Sequence, residues 1–461
     1  LYHLFGQHVG WYSAPMKDAT QTEAALAPPE TPMAGIEPGG PGEPGAPGAP
    51  GAPGAPAAPT AASERIVVLD VLRGLALFGV LLANTVEFFS GFAFMPRTHV
   101  RAHIGLADQV FLSLASILVE GKAMTLLTFL FGLGFALQLQ RAEAAGRSGL
   151  VTYLRRLGAL ALIGAVHVLL LWWGDILWSY AVAGVGLILF RRVRGWKLLA
   201  WAVGLALLPQ LALSIPAVSR LIEPIIPAPA DREVFRAELL AAITGHDRRA
   251  LTRMHLLQVY YHVGAIWVWY FPGLIGRFLI GYWVGTTRLF QEAGRHLQLF
   301  RKLAIWGLAL GLPGSSIIAV LRFLRSHNYK VTLSLFRVLS IPAELGMMIL
   351  CCGYAAAVVL LLQRPACRRA LLRLAPVGQM ALTTYLTQSL ISTFLFYGWG
   401  LGLATRVQPA RLFPITLTIF FLQILFANVW LSRFRFGPME WVWRSLTYGR
   451  AQPLRLRRPY P

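Results

Sequence analysis

Residues 65–89 have the sequence RIVVLDVLRGLALFGVLLANTVEFF, in which apolar residues strongly outnumber charged ones. A helix that spans a bilayer needs about 20 consecutive apolar residues, so this stretch is long enough. It nevertheless contains Asp70, Arg73 and Asn84. Charged side chains are costly inside a membrane, and they usually face other helices or a wet cavity. The stretch therefore predicts a membrane helix whose polar side chains face the inside of a bundle.

The rest of the chain repeats this pattern. It has 461 residues, of which 56% are hydrophobic and 13% charged, against about 25% charged in soluble proteins. We count ten apolar runs, at about 66–90, 110–140, 153–173, 175–190, 197–215, 262–287, 303–321, 336–362, 374–398 and 412–432. The fourth run is short, and the second is long enough to combine an interfacial or reentrant piece with a helix. We expect an all-α integral membrane protein with about ten transmembrane helices, in a domain covering residues 65–432.

The basic residues predict how the chain crosses the membrane. A net charge of +22 would suit a nucleic-acid-binding protein, but the lysines and arginines concentrate between the apolar runs. The connections after runs two, four, six and eight, counted with the first few residues of the next run, each carry four of them, and the connection after run three carries none. By the positive-inside rule, both termini are predicted to be cytoplasmic, and residues 433–461 form a basic cytoplasmic tail. The predicted partners are therefore the lipid bilayer and the anionic phospholipids of its cytoplasmic face, and not nucleic acid.

Two further segments lie outside the apolar runs. Residues 1–64 are rich in Gly and Pro, with six Gly-X-Pro triplets, which predicts a disordered arm. The longest predicted outer connection, at about 216–261, has apolar Val234, Leu239 and Ile243 at helical spacing. We predict an amphipathic helix here, which is either a structured connector or a lid over an outward-facing cavity.

Polar residues in the first two runs allow two interpretations. At about 100° per residue, Asp70, Arg73 and Asn84 fall within about 60° of arc. They form either a self-neutralising Asp–Arg pair with an asparagine that joins helices, or a polar seam along a substrate or cofactor path. Glu120 and Lys122, before the second spanning helix, form either an interfacial ion pair or part of a site. Gly132 and Gly134, in the same run, suggest close helix contact.

His167 and Asp175 lie on either side of a predicted hairpin, in GAVHVLLLWWGDILWSYA (164–181). Taken singly, Asp175 suits the N-cap of the next helix, and His167 suits a hydrogen bond between helices. Taken together, they predict an oriented base, because a carboxylate fixes the imidazole tautomer and favours its charged form.

Charges also occur in the sixth and eighth runs. Arg277 lies near the middle of the sixth run, and it either pairs with Glu344 or binds an anionic ligand. Gly281 and Gly285 predict that the sixth helix packs closely against a neighbour. Four polar residues of the ninth run fall within about 100° of arc and predict a face that lines a cavity. These are Thr384, Tyr385, Gln388 and Ser392.

Motifs of soluble catalysis are missing from the sequence. It has no Walker loop, dinucleotide fingerprint, H-E-x-x-H or G-x-S-x-G. Its three cysteines, Cys351, Cys352 and Cys367, match neither a disulfide framework nor a zinc pattern. We predict no metal site and no bound cofactor.

Five blocks of sequence carry a resemblance to a known family. They are LDVLRGLALFGVLLAN (69–84), LLTFLFGLGFALQLQ (126–140), RRLGALALIGAVHVLLLWWGDILWSYA (155–181), GQMALTTYLTQSLI (378–391) and FGPMEWVWRSLTYGR (436–450). Through them, about residues 65–450 resemble the YeiB-like family of bacterial inner-membrane proteins. The resemblance implies a multi-pass fold in the bacterial inner membrane, and no established reaction.

A looser resemblance concerns chemistry. The L-D-x-x-R-G…N start of the first run is similar to that of the heparan-glucosaminide N-acetyltransferases and other transmembrane acyltransferases. In many of the latter, an arginine is followed eleven residues later by a histidine, whereas here Asn84 follows Arg73 at that spacing. The resemblance then implies a reactive histidine beyond the first span, at His99, His103 or His167. We favour His167, because it lies in a family-like block close to Asp175.

Two functions follow as hypotheses. The first is an acyltransferase that moves an acyl group from the cosubstrate acyl-CoA to an extracytoplasmic hydroxyl or amine, on a small molecule or an envelope glycan. His167 and Asp175 would be catalytic, and Asp70, Arg73 and Asn84 would line the donor path. The alternative is a transporter or exporter of a small anionic solute. Its site would be built from Arg277, Glu344 and the polar face of the ninth run, with Tyr385 and Gln388.

Overall fold

The computed structural model describes residues 66–95, 104–144, 149–265, 270–326 and 329–456, and these are all-helical apart from one isolated β-bridge. The predicted Gly/Pro-rich arm lies outside these ranges. In chain order the α-helices are α1 Val67–Asn84, α2 Leu106–Leu118, α3 Lys122–Ala144, α4 Leu150–Leu170, α5 Leu177–Gly186, α6 Gly195–Ser214, α7 Pro216–Ile222, α8 Arg232–Thr244, α9 Arg248–Ala265, α10 Phe271–Thr286, α11 Leu297–Ser326, α12 Leu333–Leu362, α13 Pro365–Leu372, α14 Ala375–Gln379, α15 Ala381–Phe396, α16 Pro409–Leu431 and α17 Pro438–Tyr448.

Seven helical segments in the described part of the chain are long and apolar enough to cross a membrane. They are α1 with its extension to Phe89, α2 together with α3, α4, α6, α11 with the turn before it, α12 and α16. Three further helices are shorter: α5, with its extension to Phe190, and α10 and α15 with 16 residues each. They correspond to the remaining predicted runs. The multi-pass, all-helical class is therefore confirmed, whereas the count of ten spans and the direction of crossing stay predictions.

The second apolar run contains two helices, as its length suggested. The chain turns at Gly121, between the end of α2 and the start of α3. Helix α2 packs against α11 and α16, whereas α3 packs against α1 and α10 in the middle of the bundle. The break therefore sends the two halves of one apolar run to different neighbours.

The predicted outer connection contains helices α7, α8 and α9 rather than one helix. In α8, Leu239 and Ile243 are buried, as expected for its apolar face, but Val234 is 53% exposed. Val234 precedes Ile243 by nine residues, which is half a turn out of phase at about 100° per residue. Including Val234 in the buried face was therefore wrong.

Helices α3 and α10 touch backbone to backbone. A Cβ atom added to Gly132 would overlap the carbonyl oxygen of Phe278, and one added to Gly281 would overlap the carbonyl oxygen of Phe129. The close contact predicted for these glycines is confirmed, because any side chain would push the helices apart. The prediction for Gly134 was wrong, since open space surrounds the position of its Cβ.

A buried ion pair joins α10 to α12. Arg277 Nε donates to Glu344 Oε1 at 3.1 Å, and Nη2 donates to the same oxygen. The other oxygen, Oε2, accepts a hydrogen bond from Gln210 Nε2 of α6 at 3.2 Å. The pairing predicted for Arg277 and Glu344 is thus present, and it holds three helices together.

Replacing Glu344 by alanine leaves the Arg277 guanidinium buried without its counter-ion. We expect Glu344→Ala to lower the free energy of unfolding by about 3–5 kcal/mol, measured by denaturant unfolding in detergent micelles. The control is Glu292→Ala, which removes the partner of Arg295 in an exposed pair of 3.1 Å. Glu292→Ala should lower the free energy of unfolding by less than about 1 kcal/mol. Equal losses in the two variants would contradict a structural role for the buried pair.

Candidate functional site

Helices α4 and α5 form a hairpin that brings His167 and Asp175 together. His167 Nδ1 lies 2.8 Å from Asp175 Oδ1, and the two side chains are 1% and 0% exposed. Because a carboxylate only accepts hydrogen bonds, Nδ1 is the donor in this pair. Asp175 Oδ2 accepts the backbone N–H of Trp178 at 2.7 Å. One carboxylate therefore both orients the imidazole and binds the first turn of α5.

The hairpin depends on a glycine at position 164. A Cβ there would lie 2.5 Å from Trp178 N and 3.0 Å from Asp175 Oδ2. Both distances are shorter than a van der Waals contact. The missing side chain of Gly164 therefore lets the start of α5, and with it Asp175, come close to α4.

The other nitrogen of His167, Nε2, is buried and has no hydrogen-bond partner among the described residues. The ring of Tyr385, from α15, lies 5.3 Å from the imidazole ring between centroids. The Tyr385 hydroxyl accepts the backbone N–H of Ile176 at 3.3 Å, next to Asp175. Tyr385 therefore packs against both members of the pair.

A cavity of about 340 Å³ extends through the bundle to this Tyr385 ring. Its inner end is lined by buried residues, namely Ile176, Leu177, Tyr180 and Tyr385. Its walls are largely leucine and phenylalanine. The end of the cavity that opens to the surface is the end with the exposed Arg141. Four arginines line this opening: Arg73, Arg141, Arg156 and Arg444. The cavity thus has a basic opening, apolar walls and an inner end next to the His167–Asp175 pair.

One face of α4 connects the opening to the pair. Arg156 lines the cavity and His167 follows it by eleven residues. At about 100° and 1.5 Å per residue, the two side chains differ by about 20° in direction and about 16 Å along the helix axis. A long ligand lying along this face would touch a cation at one end and approach the imidazole at the other.

The C-terminal helix α17 forms part of the cavity wall. It contributes Glu440, Trp443 and Arg444. The Glu440 carboxylate accepts the backbone N–H groups of Leu382 and Thr383, at 2.6 and 3.1 Å, and the Thr383 hydroxyl at 2.6 Å. These donors lie at the start of α15, where a helix favours negative charge. Residues 433–456 are therefore not the tail that was predicted, because they include a helix bound to the bundle.

The predicted site residues divide between the cavity and the packing around it. Asp70 and Arg73 line the cavity and pair with each other at 2.7 Å. Asn84 lies outside the lining. Glu120 and Lys122 also lie outside it.

Glu120 and Lys122 contact the neighbouring helices near the turn between α2 and α3. Glu120 Oε2 accepts from Arg322 Nη1 of α11 at 2.7 Å. Lys122 Nζ donates to the carbonyl of Ser116, in α2, at 2.6 Å. The turn at Gly121 directs Lys122 back towards α2, so both residues fix the arrangement of helices at this end of α3.

The predicted cavity-lining face of the ninth run is mainly a packing face. All four of its residues are buried, but only Tyr385 lines the cavity. Gln388 donates to the carbonyl of Leu77, at 3.3 Å, and to Gln423 Oε1, at 3.1 Å. These bonds use the N–H₂ group of Gln388 within the bundle, whereas its buried Oε1 accepts no hydrogen bond from a described residue.

Other candidates lie away from the cavity or outside the described ranges. Arg277 and Glu344 do not line the cavity, and His99 and His103 belong to residues that the structure does not describe. Among the described residues, no group of three or more His, Cys, Asp or Glu side chains is arranged to hold a metal ion.

Three residues of the site, Arg156, Glu440 and Trp443, had no predicted role. They lie in the blocks 155–181 and 436–450, which carried the family resemblance. That resemblance was the available signal, because none of the three lies in the middle of an apolar run.

The long apolar helices and the cavity between them define a multi-pass membrane protein. The model of the family DUF418, described as "Protein of unknown function", matches residues 284–450. The chain is 32% identical over 416 residues to the uncharacterized protein YxaH of Bacillus subtilis (strain 168), covering 85% of this chain and 96% of that protein. It is 31% identical over 404 residues to the uncharacterized protein YeiB of Escherichia coli (strain K12), covering 85% of this chain and 98% of that protein. The chain belongs to this YeiB-like family of unknown function. No solved structure matches it.

Filling the space at Gly164 should separate α5 from α4. We expect Gly164→Ala to lower the free energy of unfolding by about 1–3 kcal/mol, because the added methyl group meets backbone at Trp178. The control is Gly158→Ala on the same helix, where a Cβ meets nothing within 4 Å. Gly158→Ala should raise the free energy of unfolding by up to about 1 kcal/mol, because alanine has a higher helix propensity than glycine. Thermal or denaturant unfolding in micelles compares them, and a neutral Gly164→Ala would contradict the close approach.

Proposed function

We propose that the chain is a membrane-embedded acyltransferase that moves an acyl group from acyl-CoA to a hydroxyl or amine acceptor. The observation that supports this most directly is the buried His167–Asp175 pair at the inner end of a cavity with a basic opening. The acceptor is proposed to be extracytoplasmic, on a small molecule or an envelope glycan, with the protein in the bacterial inner membrane.

The pair has the geometry of a general base. With Nδ1–H donating to Asp175, His167 Nε2 takes the proton from the acceptor hydroxyl or amine while the acceptor atom attacks the thioester carbonyl. The new C–O or C–N bond forms, the C–S bond breaks, and the imidazolium returns its proton to the leaving thiolate. Asp175 stabilises the imidazolium between these steps. Brief transfer of the acyl group to Nε2 itself is the covalent variant of the same chemistry.

The cavity suits the donor. Acyl-CoA is anionic at one end and apolar at the other, and the cavity places arginines at its opening and apolar walls further in. The same end of the bundle carries the basic connections, which predict the cytoplasmic side. The acceptor would then approach from the opposite end of α4.

The alternative function, transport of a small anionic solute, has less support. It needs Arg277 or Glu344 to change partners during transport. Both oxygens of Glu344 are bonded within the bundle, to Arg277 and to Gln210, and neither member of the ion pair lines the cavity. This geometry favours a structural role for the pair.

The test is release of CoA thiol from acyl-CoA by the purified chain in proteoliposomes, with hydroxylamine as a surrogate acceptor. We expect His167→Gln to lower the rate by about 10²–10⁴-fold, because it removes the proton acceptor. Asp175→Asn should also lower it, since an amide no longer holds the imidazole as a carboxylate does.

The matched control is His262→Phe. His262, on α9, packs edge-on against Trp173 with ring centroids 5.3 Å apart, and phenylalanine keeps this contact. Equal rates in His167→Gln and His262→Phe, or no thiol release by the unaltered chain at any acyl length, would refute the proposal.

A further inference from the structure

Arg156 is fixed on two sides at the cavity wall. Its Nη1 donates to Gln138 Oε1 at 2.9 Å, and its guanidinium carbon lies 4.5 Å from the centroid of the Trp443 ring. The indole N–H of Trp443 donates to the backbone carbonyl of Arg156 at 2.9 Å. Helices α3 and α17 therefore hold this side chain in a defined position on α4.

This guanidinium has no carboxylate partner among the residues that the structure describes. A guanidinium carries five N–H donors, and that of Arg156 makes one hydrogen bond to a described residue, the neutral amide of Gln138. The cavity is lined by two carboxylates, and both are engaged elsewhere: Asp70 with Arg73, and Glu440 with the start of α15. A half-buried cation with open donors is the state expected of a site whose anion comes from a ligand.

We propose that Arg156 is the phosphate-binding residue of the cavity, and that the ligand is an amphiphile with its phosphate at Arg156 and its apolar part along the wall towards Tyr385. The planar donor fork of arginine matches two oxygens of a phosphate. Arg141 and Arg444 line the same opening, so the local charge suits a group with more than one negative charge. The leucine and phenylalanine walls suit an acyl chain or another apolar tail.

As an account of how the acyl donor is held, this inference rests on the proposed function. The binding itself does not require transfer to occur. The phosphates of CoA and the phosphate of a phospholipid headgroup share the required chemistry, so the experiment includes one arm for each.

The experiment measures binding to the full purified chain in a phosphate-free maltoside detergent. The probes are palmitoyl-CoA, phosphatidic acid and the uncharged control dodecanol. We expect Arg156→Gln to weaken binding of the phosphate probe at least about tenfold, because a charge-assisted bond is lost. Arg155→Gln is the control: Arg155 is adjacent on α4, exposed and absent from the cavity wall, so binding should stay unchanged.

Competition keeps the inference testable if Arg156→Gln does not fold. Pyrophosphate should displace the bound probe from the unaltered chain, and Arg156→Lys, which keeps the charge but not the planar fork, should bind with intermediate strength. Preference for palmitoyl-CoA would identify the acyl donor as the ligand, and preference for phosphatidic acid would identify a lipid headgroup.

The inference is overturned by any of three results. These are equal binding by Arg156→Gln and Arg155→Gln, binding of dodecanol as tight as that of the phosphate probes, or no binding of either phosphate probe to the unaltered chain. Loss of binding in Arg156→Gln without any thiol release by the unaltered chain refutes the acyltransferase and leaves the phosphate site standing. Transfer that Arg156→Gln leaves unchanged refutes the phosphate site and leaves the acyltransferase standing.

Discussion

Two ion pairs inside the helix bundle, Arg277–Glu344 and Glu120–Arg322, join different helices, and such pairing limits which helices can lie side by side. Taking an ion out of water costs several kcal/mol, which is recovered only with good geometry and additional hydrogen bonds. The Arg277–Glu344 pair, completed by Gln210, therefore fixes α10, α12 and α6 relative to one another. Glu120 and Arg322 do the same for the start of α3 and for α11. The glycines of α3 and α10 let these two helices touch through their backbones, which leaves no room for a side chain between them.

Helix α4 departs from this rule at two positions on one face. The Arg156 guanidinium has an amide and an indole ring as its described neighbours, and His167 Nε2 has no described hydrogen-bond partner. Leaving a buried polar group without a partner costs stability, which is why these two positions support the proposed site. Their common direction, about three turns apart, is the reason for treating the cavity and the imidazole as parts of one site.

The sequence could predict what depends on a residue's own segment. Apolar run lengths predicted the spanning helices, and the two polar positions around the α4–α5 turn predicted the contact between His167 and Asp175. It could not predict the position of α17, because that depends on the hydrogen bonds between Glu440 and the start of α15, 58 residues away along the chain. A helix of 11 residues is also too short to give the hydropathy signal of a membrane span, so it was taken for part of a tail.

The same limit explains the polar stripe of α15. Residues on one helical face share a direction, but the neighbours of that face decide whether they line a space or bond to another helix. Gln388 meets Leu77 and Gln423, whereas Tyr385, one turn earlier, meets the cavity. Helical periodicity therefore identified the polar face of α15, but it could not distinguish the residue that lines the cavity from the residues that bond to other helices.

Tyr385 lies between the cavity and the His167–Asp175 pair. It lines the inner end, packs against the His167 ring and accepts the backbone N–H of Ile176. A ligand that extends from Arg156 towards Nε2 has to pass this ring. Moving it would break one hydrogen bond, a net cost of about 1 kcal/mol, and would also lose the packing of a ring that is 2% exposed, a further cost of about 1.5–3 kcal/mol. Access to the imidazole from the cavity therefore depends on how tightly this ring is held.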